Sequence, residues 1–312
     1  MIKKKISVVT PCYNEVENVQ VVHEKIKSIF SQLKNYDYEH IYIDNASTDH
    51  TQEKLRAIAK NDPHVKIILN ARNFGHICSP LHGYLQATGD AIVSMASDLQ
   101  EPPDLIPEFI RHWEDGYKIV IGVKTTSEHR GPMLYLRKFY YHLLTQLSQV
   151  KQVKHFTGFG LYDRQVIDIV RAFRDPYPYF RGIIAELGFD RKEIEFTEPR
   201  RKRGKSSNNL YTLYDMAILG FVNQSKVPLR LAVFFGFFAS FASLVIALFY
   251  LGFKILHWDS FEMGIAPLVI GGFFFAALQL FFIGILGEYI GAIYTHVKQR
   301  PLVIEKERIN FK

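Results

Sequence analysis

Two apolar runs near the C-terminal end, 231–253 (LAVFFGFFASFASLVIALFYLGF) and 264–287 (GIAPLVIGGFFFAALQLFFIGILG), contain no charged residue. At 1.5 Å per residue, each run as a helix is long enough to cross the ~30 Å hydrocarbon core of a bilayer. Only ten residues separate them, so the sequence predicts a hairpin of two transmembrane helices. Arg200, Arg201, Lys202, Arg203, Lys205, Lys226 and Arg230 precede the first run, and Lys298, Arg300, Lys306 and Arg308 follow the second. The hairpin offers Lys254, His257, Asp259 and Glu262. An excess of Lys and Arg marks the cytoplasmic side, so both flanks are expected there. The opening MIKKKISVVTPCYNE sets basic residues before a strand-length apolar run, unlike a signal peptide, which gives the same expectation for the N-terminal region.

The remainder reads as a soluble domain. A chain that is 48% hydrophobic with a formal charge of +7 is neither disordered nor wholly membrane-buried. The apolar runs 6–10, 40–45, 65–70, 91–97 and 117–123 read as strands, with helix-like segments between them. That alternation predicts βαβ units and a mainly parallel sheet. Ligands of such sheets lie beyond the carboxyl ends of the strands. Polar loops fall at those ends, at 11–15, 44–49, 72–76 and 98–101. Cys12 and Cys78 are too few for a disulfide framework and read as free thiols in a reducing compartment. The segments 131–147 and 206–222 mix aromatic, aliphatic and polar positions as helices lying on a membrane surface do, although soluble core helices read similarly.

PCYNE (11–15), DNASTDHT (44–51), RNFGH (72–76) and SDLQEPP (97–103) stand in an order and spacing that resembles family-2 glycosyltransferases. More closely, the chain resembles the polyprenyl-phosphate branch, the bactoprenol glucosyltransferases and dolichol-phosphate mannose synthases. The resemblance implies a GT-A type nucleotide-sugar domain over 1–210, with an interfacial helix at 131–147. An interfacial helix and linker (206–229), a transmembrane hairpin (230–294) and a cytoplasmic tail (295–312) would follow. It further implies inverting transfer of a hexose, glucose favoured, from a nucleotide-diphosphate sugar (UDP-glucose favoured) to polyprenyl phosphate.

By the same resemblance Pro11, Tyr13, Asn14, Glu15 and Asp44 hold the base and ribose, with Asn45 where the family often has a second acid. Asp98 and Gln100 fall in a motif that usually reads Asp-x-Asp-x-Gln and binds Mg²⁺ or Mn²⁺ across the donor diphosphate; Ala96 stands in place of the first acid. Lys124, Arg137, Arg203 and Lys205 are the expected partners of the acceptor phosphate, and the basic 200–205 stretch also suits anionic lipid. Asp163, in TGFGLYDR, is assigned near the reacting sugar, where it binds a hydroxyl, orients the acceptor or caps the following helix. His76, His129 and His155 lack metal-ligand spacing and read as ordinary polar or core residues.

Two other readings stand beside this one. A processive polysaccharide synthase would carry more spans and a Gln-x-x-Arg-Trp motif, which precedes neither Trp113 nor Trp258. A catalytically silent scaffold or lipid-binding protein would explain Ala96. Gly284, Gly287 and Gly291 allow close helix packing and so a homo-oligomer. No nucleic-acid partner is expected.

Overall fold

A computed structural model of the chain describes residues 3–125, 153, 155–175, 178–199, 227–256, 265–298 and 300–311. Strands form where five apolar runs predict them: β1 (Lys4–Cys12), β2 (Tyr36–Asp44), β3 (Val65–Asn70), β4 (Ala91–Ser94) and β5 (Ile119–Lys124). The helices between them are α1 (Val19–Gln32), α2 (Thr51–Asn61), α3 (Gly75–Gln86) and α4 (Ile106–Glu114). In α4, Ile106, Phe109, Ile110 and Trp113 recur at helical spacing and are buried, while Pro107, Arg111 and Glu114 face water. Next come β6 (Phe156–Asp163), α5 (Arg164–Phe173), α6 (Phe180–Glu186) and β7 (Arg191–Phe196).

The eight-stranded sheet has the order β7-β5-β6-β4-β1-β2-β3-β8, its last strand being β8 (Glu305–Ile309). β1 to β5 and β7 share one direction, and β6 and β8 run against them. Side chains alternate across the pleat. Ile6, Val8 and Tyr42 pack with α1, α2 and α4 on one face; Val9, Ile41 and Ile43 pack with α3, α5 and α6 on the other. A Cβ at Gly83 would lie 2.7 Å from Val9 Cγ1, so glycine lets α3 rest directly on the sheet with its first turn at the carboxyl edge.

Residues expected as a tail instead close the sheet. β8 pairs antiparallel with β3. The Arg56 guanidinium makes two 2.6 Å bonds to Glu307, and the Asn310 amide donates to the Ala59 and Val65 carbonyls at 2.9 and 2.8 Å.

The first apolar run lies within a helix, α7 (Val227–Leu256), and residues 265–287 of the second lie within another, α8 (Ile265–Val297). Within α8, Gly271–Thr295 is long and apolar enough to cross a membrane, and none of its most apolar stretch is buried against protein. In α7, among the described residues, the apolar stretch is the shorter Leu231–Ser243. Large side chains such as Phe237 and Phe273 stand about three-quarters exposed, at 74% and 76%.

Candidate active site

From β3 the chain returns to β4 on the far side of β1. The loops after β1 and β4 therefore part at the carboxyl edge, the position where open α/β sheets bind ligands. An open cavity of about 810 Å³ lies there. Its walls are the loops 11–15 and 94–98, the first turns of α3, Thr157 and Gly158 of β6, and residues 178–181.

Pro11, Tyr13, Asn14, Glu15 and Asn45 all line this cavity. Asn14 adopts φ +57°, a left-handed conformation that Asn tolerates. Its side-chain oxygen accepts from Thr48 N–H at 2.8 Å, and its N–H donates to Ser47 Oγ at 2.9 Å, so the first two loops are stitched together. Asp44 lies behind the wall instead of in it. It is fully buried and accepts from Ser47 N–H (3.0 Å), Gln52 Nε2 (2.7 Å) and the Ser47 hydroxyl. These bonds tie the start of the 44–49 loop to the first turn of α2.

Asn45 shows why an amide replaces the second acid. Its NH₂ donates to Asn73 Oδ1 at 2.8 Å and the Gly75 carbonyl at 3.1 Å. Its oxygen accepts from Asn70 Nδ2 at 3.0 Å and Phe74 N–H at 2.8 Å. A carboxylate has no donor for the first pair. Cys12 is buried, and burial, then the nearby Asp44 carboxylate, pushes its thiol well above the usual range, which fits an inert free cysteine.

The β4 loop brings Ala96 and Asp98 to the cavity, while Gln100 sits half-buried outside its lining. Asp98 Oδ1 accepts from Gln100 N–H at 3.1 Å, and its other oxygen has no hydrogen-bond partner among the described residues. No group of three His, Cys, Asp or Glu comes together among the described residues. A single carboxylate with an open oxygen fits a hard cation only if phosphate oxygens and waters complete the shell.

Glu101 belongs to the expected polar loop 98–101, but the sequence alone assigns it no role. Its carboxylate lines the cavity though only 7% exposed, accepting from Ala96 N–H at 2.7 Å and from the Thr157 hydroxyl at 2.8 Å. Burial pushes it up to about 7, against the pull of these hydrogen bonds; the Asp98 charge raises it and Lys124 lowers it. The signal was an acid beside the Pro-Pro that ends the β4 loop. Arg181 was also missed; it lies in the wall, donating to the Phe156 carbonyl at 3.4 Å. His76, read as an ordinary polar residue, lines the cavity at the start of α3.

Asp163 stands away from the cavity, and of its three expected roles the structure shows the helix cap. β6 runs antiparallel to β4, so its first residues meet the cavity and its last, Asp163, pairs with Ala91 at the opposite edge. There Asp163 caps α5 through Gln165 N–H at 3.0 Å and accepts from Trp113 Nε1 at 2.7 Å and Lys118 Nζ at 3.2 Å. Burial raises its carboxyl, and those three donors outweigh burial and hold it below the usual range. Of the residues expected on the acceptor, Lys124 ends β5 but pairs with Glu198 at 2.5 Å and does not line the cavity. Arg137, Arg203 and Lys205 lie outside the described residues, as do 131–147 and 206–222.

A mainly parallel α/β sheet with polar loops gathered around one crevice at its switch point is the arrangement in which open α/β proteins bind their ligands. The sequence profile of Glycosyl transferase family 2 matches residues 7–169, and the chain belongs to that family. It is a glycosyltransferase. It is 32% identical over 301 residues to an uncharacterized glycosyltransferase, YkcC, of Bacillus subtilis, covering 96% of this chain and 92% of that one. It is 30% identical over 304 residues to the SfII prophage-derived bactoprenol glucosyl transferase of Shigella flexneri, covering 97% and 98% respectively.

Proposed function

We propose that the protein moves glucose from UDP-glucose to polyprenyl phosphate at the cytoplasmic face of a membrane, with inversion at the anomeric carbon. The observation that carries this reading is likeness to bactoprenol glucosyl transferases over nearly the whole chain, apolar helices included. Strand β8 adds support for the membrane topology. Because β8, after both helices, pairs with β3, before them, the chain returns to the side it left. A bilayer crossing by α8 then requires an even number of crossings, as a two-helix hairpin provides.

In this reading Pro11 and Tyr13 offer a flat face to the base, and Asn14, Glu15 and Asn45 border the ribose. Asp98, with Gln100 beside it, would hold Mg²⁺ or Mn²⁺ against the donor phosphates. When bound, such an ion neutralises the departing nucleoside diphosphate. A lipid phosphate monoester, with a second pKa of about 6, is already a nucleophile at neutral pH, so no strong base is required. Its oxygen attacks C1 as the bond from C1 to the diphosphate breaks. Arg137, Arg203 and Lys205 are assigned to that phosphate, and the basic stretch around them to anionic lipid.

The test is a panel of labelled nucleotide sugars offered to the full chain in vesicles containing polyprenyl phosphate. Label from UDP-glucose is expected in the lipid fraction. Lipid labelled only by another donor would overturn the sugar assignment, and lipid labelled by none would overturn the acceptor.

A further inference from the structure

The cavity is acidic where its ligand would be anionic. Glu15, Asp98 and Glu101 line it, and Arg181 is the one Lys or Arg in the lining among the described residues. One cation on Asp98 offsets only part of a bound diphosphate, and a second phosphate entering the same crevice needs a further positive group.

Arg181 is held as a ligand-binding arginine would be. Phe180, beside it, is wedged between Tyr84 and Tyr162, with ring centroids 5.2 and 5.1 Å away. The next turn of α6 buries Ile183 and Ile184 in the core. That packing fixes the 178–181 segment as one wall of the cavity. The Arg181 guanidinium contacts the Phe156 carbonyl at 3.4 Å and lies 5.5 Å from the centre of the Tyr179 ring. No carboxylate among the described residues pairs with it, unlike Arg56, Arg171, Arg191 and Arg308, which each bind one. A half-buried guanidinium with most of its five N–H groups uncommitted is suited to a phosphate, which it meets with two parallel hydrogen bonds.

We infer that Arg181 is a phosphate-binding residue of this cavity. The phosphate belongs either to the donor diphosphate or to the lipid acceptor; the assignment of those two ligands rests on the function proposed above.

The experiment uses the full chain in detergent, as wild type, Arg181→Ala and Arg181→Lys, each first checked for an unchanged melting temperature. Calorimetric titration with UDP in the presence of Mg²⁺ reads the donor side, and the KM for polyprenyl phosphate reads the acceptor side. Loss of a charged hydrogen bond in a partly dry site is expected to weaken one of them about tenfold or more in Arg181→Ala. Arg181→Lys should recover part of the loss, and rising salt should shrink it, neither of which a packing defect would do. Weaker UDP binding assigns the donor phosphates; an unchanged UDP affinity with a raised KM assigns the acceptor. Folded variants with wild-type values in both measurements would overturn the inference. UDP binding needs no turnover, so a wild type that binds UDP but transfers nothing refutes the proposed reaction and leaves the Arg181 result readable.

Discussion

The two edges of one sheet treat buried carboxylates in opposite ways. Near the amino edge, Glu39 is fully enclosed and receives hydrogen bonds from Lys5, Lys66, Ser7 and Thr88, at 2.5 to 3.0 Å. Burial alone would push its carboxyl up, yet these donors together hold it at about 2. At the carboxyl edge, Glu101 is also buried but has two neutral donors and a like charge nearby, and sits at about 7. Asp98 keeps an oxygen open beside it. Charge at the first edge is matched to hold the fold together. At the second it is left short of partners, an imbalance common where proteins bind charged ligands.

The sharpest break between the edges is expected in activity. Asp98→Ala should lower transfer by about 100-fold or more with little change in melting temperature, since it removes the one open carboxylate of the proposed metal site. Asp163→Asn should leave the turnover of the folded protein close to wild type. A collapse of activity in well-folded Asp163→Asn would return that residue to the reaction.

Stability should answer in reverse. Glu39→Ala strands Lys5 and Lys66 in a largely buried place and is expected to cost about 3 kcal/mol, read by chemical unfolding of the soluble domain's signal. A cost below ~1 kcal/mol would show that the amino edge does not depend on this cluster.

The pH dependence of unfolding, measured with chelator present, separates the two glutamates. The folded pKa of Glu39 is depressed, so its stabilisation is present above about 4.5 and disappears as pH falls towards about 2. Glu101 has a raised folded pKa, so its protonated form favours the fold. That advantage is complete below about 4.5 and is lost as pH rises through about 7. Glu101→Gln should therefore flatten the profile between those values and stabilise the protein at pH 8, by about 1–3 kcal/mol. A mutant that tracks wild type across that window would contradict the raised value.

Much of this contrast was legible in the sequence. Strands β1 to β5 and the polar loops at their ends follow from apolar runs of strand length, because a strand buried on both faces shows itself as such a run. Strand direction did not. TGFGLYD carries two glycines and reads as a motif, and nothing local reveals that β6 runs backwards and takes Asp163 to the far edge. β8, EKERI, is charged and half-exposed along an edge, so its pattern matches a solvated tail. The reason for an amide at Asn45 lies in two donated hydrogen bonds to residues of the next loop, which the sequence does not show. Arg181 escaped because the packing of Phe180 between Tyr84 and Tyr162, residues distant in sequence, brings it to the cavity.

The smallest expected effect concerns Ala96. Ala96→Asp restores an acid beside Asp98 and should lower the Mn²⁺ or Mg²⁺ concentration for half-maximal activity by about two- to tenfold. Wild type and Ala96→Asp titrating alike would show that position 96 does not reach the ion.

Hydrogen exchange of the full chain, with and without UDP and Mn²⁺, tests most directly whether the carboxyl edge is the working edge. The expected result is slowed exchange in 11–15, 73–77 and 96–101, with no change around Trp113, Lys118 and Asp163. Protection confined to that second group, or none in the first at saturating UDP, would contradict the assignment.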